Sequence, residues 1–273
     1  MKRVLTVLLA LAMILSFAAC AKTGDDKADD TKDPVVDTNE PADEGKVEDN
    51  TDDDAADESE TPADDEAPAD DEVKVMSYAE YEAAELDAEV VIEAYVQATQ
   101  SWWDNKITVY TQDADGAYFL YELACSEEDA AKLVPGTKIR VSGYKGEWAG
   151  EVEIMDGTFE FVEGADSFIA DPIDVTALLG TDELIAHQNK KVSFKGLTVA
   201  GIEYKNGEPG DDIYVTVSYA GADYSFCVER YLTDPDTAVY AAVGELAVGD
   251  VINVEGFLYW YEGVNTHITA VSK

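Results

Sequence analysis

The sequence predicts a mainly β protein: two tandem five-stranded barrels, each with short helices, behind a disordered acidic linker. Three observations predict it. Composition confines every foldable stretch to residues 74–273. That stretch repeats itself at offsets of 102 to 113 residues. Each repeat runs through the same order of alternating strand, hairpin, crossover helix and closing strands.

The chain has 273 residues and a formal net charge of −41. Residues 1–20, MKRVLTVLLALAMILSFAAC, carry a basic head at Lys2 and Arg3, a short apolar run and then small residues up to Cys20. That order describes a secretory signal peptide. The run is short for a membrane span, which needs about 20 apolar residues. Residues 21–73 hold 23 Asp and Glu against 4 Lys and no aromatic residue. Such a segment cannot bury enough apolar surface to offset its ordering entropy, so disorder and like-charge extension are expected. Residues 74–273 hold all the Trp and Tyr, with 36 Asp and Glu against 12 Lys and Arg.

The repeat is read from matched segments. Gly136-Thr-Lys-Ile-Arg-Val-Ser-Gly143 matches Gly249-Asp-Val-Ile-Asn-Val-Glu-Gly256 at an offset of 113, and Gly150 matches Gly263 at the same offset. Val90, Ile92 and Ala94 match Val192, Phe194 and Gly196 at 102. Ile107, Val109 and Tyr118 match Ile213, Val215 and Tyr224 at 106. An offset that grows in steps fits duplication with insertions in loops, and sets modules at 74–165 and 166–273.

In order, Ser77-Tyr-Ala-Glu80 reads as a capping box, and 176–187 as the matching helix of the second copy. Alternation predicts strands at 89–97 and 190–199. Hairpins follow, turning at Asp115-Gly116 and near Gly221. Helical crossovers are expected at 126–133, where Ser126 precedes three acidic residues, and at 238–246. Strands at 138–144 and 251–259, then 151–163 and 266–272, close the copies. This plan is that of the OB-fold.

The wording QSWWDNK, LVPGTKIRVSGYKGEW and VEGFLYWYEGVNTHIT resembles the paired OB-like modules of lipoproteins from Gram-positive gut bacteria, over essentially all of 75–273. The ending FAAC likewise resembles a bacterial lipoprotein signal, which implies lipidation of Cys20 and anchorage on the outer face of the cell membrane. The family resemblance implies architecture and no established activity.

No set of reactive groups converges in the sequence. His187 and His267 are its two histidines, and each is expected as a surface or strand residue. No serine elbow, P-loop or dinucleotide motif is present. Asp113-Ala-Asp-Gly116 opens like a calcium loop but lacks the remaining ligands. Cys125 and Cys227 match no zinc spacing; both read as small, partly buried residues, and a bridge between them would join the modules. A non-catalytic protein with no cofactor and no metal is expected.

Aromatic residues mark the expected ligand site. OB-folds bind across strands two and three, between the loop joining strands one and two and the loop joining strands four and five. Trp102 and Trp103 fall in the first loop of copy one, with Tyr144 and Trp148 at the second. Tyr259, Trp260 and Tyr261 lie at the corresponding end of copy two. Tyr110 and Tyr214 alternate with inward Val109 and Val215 and are expected to face outward. Trp102, Trp103 and Trp148 are expected to share one platform. Glycan or protein ligands tolerate the acidity. Single-stranded nucleic acid also stacks on such rings, but the net charge opposes phosphate; Lys138, Arg140 and Lys145 form the one basic strip. The reading is therefore an extracellular glycan- or protein-binding module, the alternative a nucleic-acid-binding OB-fold protein.

Overall fold

The computed structural model describes residues 74–273, so the signal segment, Cys20 and the acidic linker lie outside the described residues. The described residues fall within one compact unit. Among them, no helix is long and apolar enough to cross a membrane.

Helix α1, Tyr78–Ala83, opens with the expected capping box: Ser77 Oγ accepts from Glu80 N and Ser77 N donates to Glu80 Oε2. A cap of this kind is worth about 1 kcal/mol. Strands β1 (Glu89–Thr99), β2 (Lys106–Gln112) and β3 (Ala117–Ala124) form an antiparallel meander. Helix α2, Glu127–Ala130, crosses to β4 (Lys138–Trp148), which pairs with β5 (Glu151–Phe161). The order β1-β2-β3-β5-β4 is a closed barrel. Val90, Ile92, Val109, Leu120, Ile139, Val141 and Ile154 fill it, and each is under 2% exposed.

The second half repeats the course. After β6 (Ile173–Asp174) come β7 (Lys191–Tyr204), β8 (Ile213–Tyr219), β9 (Ala222–Val228), α3 (Ala238–Gly244), β10 (Val251–Phe257) and β11 (His267–Ser272). The sheet order is β10-β11-β9-β8-β7-β6, and β10 also pairs with β7. Its core centres on Phe194 and Phe226, whose ring centroids are 5.0 Å apart. The helix expected at 176–187 is instead two 3₁₀ segments, Thr176–Leu178 and Asp182–His187. Gly180 breaks it with φ +88, and a Cβ there would strike the Tyr224 hydroxyl.

Backbone hydrogen bonds repeat between the halves. Gly136 N reaches Val96 O, and Gly249 N reaches Val199 O, both at 2.8 Å. Lys145 N donates to Ala88 O, and Leu258 N to Lys190 O, both at 3.0 Å.

The halves are joined by an apolar contact. Tyr110 and Phe119, from the outer face of β2 and β3, meet Phe257, with Tyr259 and Leu232 packed alongside. Tyr110 stacks on Phe257 at 4.5 Å. Polar ties surround this contact: Lys191 N to Gln112 Oε1 (2.8 Å), Asn189 Nδ2 to Val152 O (3.0 Å) and Trp260 N to Glu151 Oε2 (2.8 Å). Tyr110, expected to face outward toward ligand, is thus 1% exposed. It does point out of its barrel, but the second half covers it. Cys125 and Cys227 are buried free thiols with no bridge between them.

Candidate ligand cleft

Two expected site residues stand just before tight turns. Trp103 precedes Asp104 (φ 47) and Asn105 (φ 59), and pairs with Lys106 across the turn. Trp148 precedes Ala149 (φ 53) and Gly150 (φ 93), and pairs with Glu151. Two successive positive φ angles are the signature of the type I′ turn, whose twist matches that of a hairpin. Each turn holds its tryptophan out on a rigid hairpin tip, with Trp103 77% and Trp148 55% exposed.

Trp102 behaves differently. It packs against the first barrel's core, and its Nε1 donates to Cys125 O at 2.8 Å. The adjacent tryptophans thus divide the work, one closing the barrel and the other facing solvent.

Trp103 lines a hollow of about 620 Å³ with Tyr121, Tyr231, Lys106 and Arg230. Trp148 lines a neighbouring hollow of about 570 Å³ with Tyr214, Tyr259, Tyr261 and Phe119. Gln100 and Tyr121 line both, so the two hollows adjoin. The single platform expected of Trp102, Trp103 and Trp148 is therefore replaced by two hollows: Trp102 and Trp103 line the first, and Trp148 lines the second. Trp148 and Tyr261 form a pair at 5.1 Å, bringing the two halves together over the second hollow.

Two expected residues lie elsewhere. Tyr144 lines neither hollow; its hydroxyl donates at 3.2 Å to Glu89 Oε1, on the first residue of the paired strand β1. Trp260 packs on the second core, where its ring abuts Gly150. Sequence reasoning missed Phe119, Tyr121, Tyr231 and His267. Strand alternation in β3 could have found the first two, since Leu120 points inward between them. Nothing local marks Tyr231 or His267, whose roles arise from contact between the halves.

The two hollows differ in charge. In the first, Lys106 pairs with Glu122 at 2.7 Å. Arg230 has no ion pair among the described residues; it lies 5.0 Å from the Tyr231 ring centroid and its buried Nε has no partner. In the second, the charged side chains are Asp212 and Glu229, with no Lys or Arg. Burial pushes the Glu229 carboxyl up, against backbone donors at Tyr231 and Leu232. The basic strip expected at Lys138, Arg140 and Lys145 is fully engaged. Lys138 and Arg140 pair with Glu93 at 2.6 and 2.7 Å. Lys145 is 7% exposed and donates to the carbonyls of Tyr81, Glu82 and Ala84, capping α1.

Among the described residues there is no group of three or more His, Cys, Asp or Glu that could hold a metal ion. Burial raises the Cys125 thiol to about 11, so it is no nucleophile near neutrality.

No family model matches the chain, and no curated protein matches it. Solved structures do match. One is a murine DNA binding protein bound with double-stranded DNA, at 10% identity over 67% of this chain and 94% of that one, TM-score 0.34. A second is a HINa domain in complex with double-stranded DNA, at 10% identity over 66% and 94%, TM-score 0.30. A third is a Replication Protein A heterotrimer bound to single-stranded DNA, at 14% identity over 67% and 49%, TM-score 0.30.

Proposed function

We propose that residues 74–273 are two OB-like barrels in tandem acting as one non-catalytic binding unit, which takes a glycan chain along the paired hollows. We further propose that the protein is exported and held at the outer face of the membrane through a lipid on Cys20. The observation that carries the ligand reading is the run of exposed rings, Trp103, Tyr231, Tyr121, Trp148 and Tyr261, around two adjoining hollows. Sugar rings offer apolar faces to such walls, and hydroxyls to the polar groups between them. The second hollow is lined by two carboxylates and no Lys or Arg; Lys205 pairs with Asp212 at 2.9 Å, but Glu229 has no ion pair among the described residues and opposes a phosphate chain.

The second reading is nucleic acid, which the matched structures named above hold. On this chain the observation favouring it is Arg230, an unpaired guanidinium beside Trp103 and Tyr231, since base stacking with a nearby cation serves single strands.

The test titrates the protein with cellohexaose, xylohexaose, mannohexaose and oligo(dT) at low and high salt. The glycan reading expects a hexasaccharide to bind with little salt dependence and to lose affinity in Trp148→Ala. Binding of oligo(dT) alone, weakening steeply with salt, overturns it in favour of the second reading. Fractionation of cells carrying Cys20→Ala tests the anchor: an unchanged membrane fraction overturns it.

A further inference from the structure

We propose, resting on the glycan reading, that His267 is the polar specificity determinant of the second hollow: a neutral imidazole locked with its proton on Nε2, donating to a hydroxyl of an uncharged sugar. His267 begins β11, lines that hollow and is 6% exposed. Its Nδ1 lies 2.6 Å from the Tyr110 hydroxyl. That hydroxyl also accepts from Gln100 Nε2 at 3.2 Å.

The proton positions follow from the inventory of donors. A Tyr hydroxyl has one proton to give, and an amide nitrogen accepts nothing. Tyr110 is buried, and among the described residues the one acceptor its proton meets is His267 Nδ1. Nδ1 must then be bare, and a neutral imidazole with a bare Nδ1 carries its proton on Nε2. Burial keeps the ring neutral, driving its pKa down to about 3. The ring cannot turn freely, because it stacks on Tyr259 at 4.2 Å. Nε2 makes no hydrogen bond among the described residues.

The rest of the hollow supplies acceptors. Asn265 Oδ1 is buried without a partner, and Glu229, whose oxygens accept from Tyr231 N and Leu232 N, lines the same hollow. A sugar hydroxyl both accepts and donates, so it satisfies His267 and an acceptor together. A phosphodiester oxygen only accepts and would leave Asn265 Oδ1 without a donor; an ammonium only donates and would face an N–H. The lock also spans the halves, since Gln100 and Tyr110 belong to the first barrel. A change at Tyr110 thus alters a ligand contact it does not itself make.

The test labels the histidines with ¹⁵N, assigning His267 by its loss in His267→Gln. At neutral pH the expected spectrum has protonated Nε2 and bare Nδ1. Addition of whichever hexasaccharide binds should move the Nε2 signal. Tyr110→Phe, which keeps the ring and removes the lock, should mix the tautomers and weaken that sugar roughly three- to tenfold. A proton on Nδ1, or on both nitrogens, overturns the proposal, and this readout on the parent protein stands even if Tyr110→Phe fails to fold. A bound sugar that leaves Nε2 unmoved overturns the proposal alone. Silence of all three sugars overturns it together with the glycan reading.

Discussion

Glu151→Gln should change how stability depends on pH, and the sign and size follow from the burial of one carboxyl. Glu151 opens β5 where the halves meet and is fully buried. Its Oε2 accepts from Trp260 N and Gln188 Nε2, while Oε1 is buried with no partner. Burial pushes the carboxyl up to about 9. An unfolded Glu ionises near pH 4.3. The folded-state value is the higher one, so the stability this group contributes is full below about pH 4.3 and is lost as pH rises through about 9. Between about pH 5.5 and 7.5 the native form keeps its proton and the unfolded form has lost it. Each pH unit in that window then costs about 1.4 kcal/mol. Gln fits the same contacts without a proton to lose. The stability gap between Glu151→Gln and the parent should therefore widen by about 3 kcal/mol across the window, read by urea unfolding at three pH values. Glu153 and Glu229, also raised, titrate in both proteins and largely cancel in the difference. A gap that stays constant to about 0.5 kcal/mol means Glu151 is ionised in the fold, and the reasoning fails.

The tryptophan pair gives a second expectation: Trp102→Ala should cost about 2–4 kcal/mol, from lost packing and one hydrogen bond, while Trp103→Ala stays within about 0.5 kcal/mol; equal shifts in Tm refute the assignment of plug and rim. Lys145→Met should cost about 2–4 kcal/mol, because three carbonyls at the end of α1 lose their charged donor; an unchanged urea midpoint would show that α1 needs no such cap. In Gly256→Ala the new Cβ would strike the His267 carbonyl oxygen of the paired strand, at a cost of about 1–3 kcal/mol; a variant as stable as the parent shows the strands have room there.

The fold was legible where one residue type has one physical job. The glycines that carried the repeat are an example. Gly143 and Gly256 each sit at a break in strand register, and a Cβ on either would meet a carbonyl oxygen of the neighbouring strand. Gly136 and Gly249 both turn with φ near +90 into the next strand. Such demands leave a mark in any sequence. The site was legible in part: the OB-fold plan set Trp102, Trp103 and Trp148 in loops, and the residues that follow Trp103 and Trp148, Asp-Asn and Ala-Gly, adopt the positive φ angles that turn each hairpin. What could not be read was which outward rings another part of the chain would cover. Tyr110 and Tyr214 both alternate with inward valines, and no local feature separates them.

Their different fates explain where the cleft lies. Strand β2 is buried at Ile107, Thr108, Val109, Tyr110, Thr111 and Gln112, on both faces, while β8 keeps the alternating pattern of a strand with one open face. Alternation within a strand says which face turns from its own barrel, not what meets it. Here the outer face of β2 and β3, where an OB-fold ordinarily meets ligand, is occupied by Phe257 and its neighbours. A ligand cannot use that face without separating the halves. It can use the margin, where Tyr121 emerges from under the contact and the rims of both halves, Trp148 and Tyr261, approach each other. The same contact that removes Tyr110 from solvent brings its hydroxyl to His267. Burying one expected ligand residue is thus what orients another group that the sequence alone did not mark.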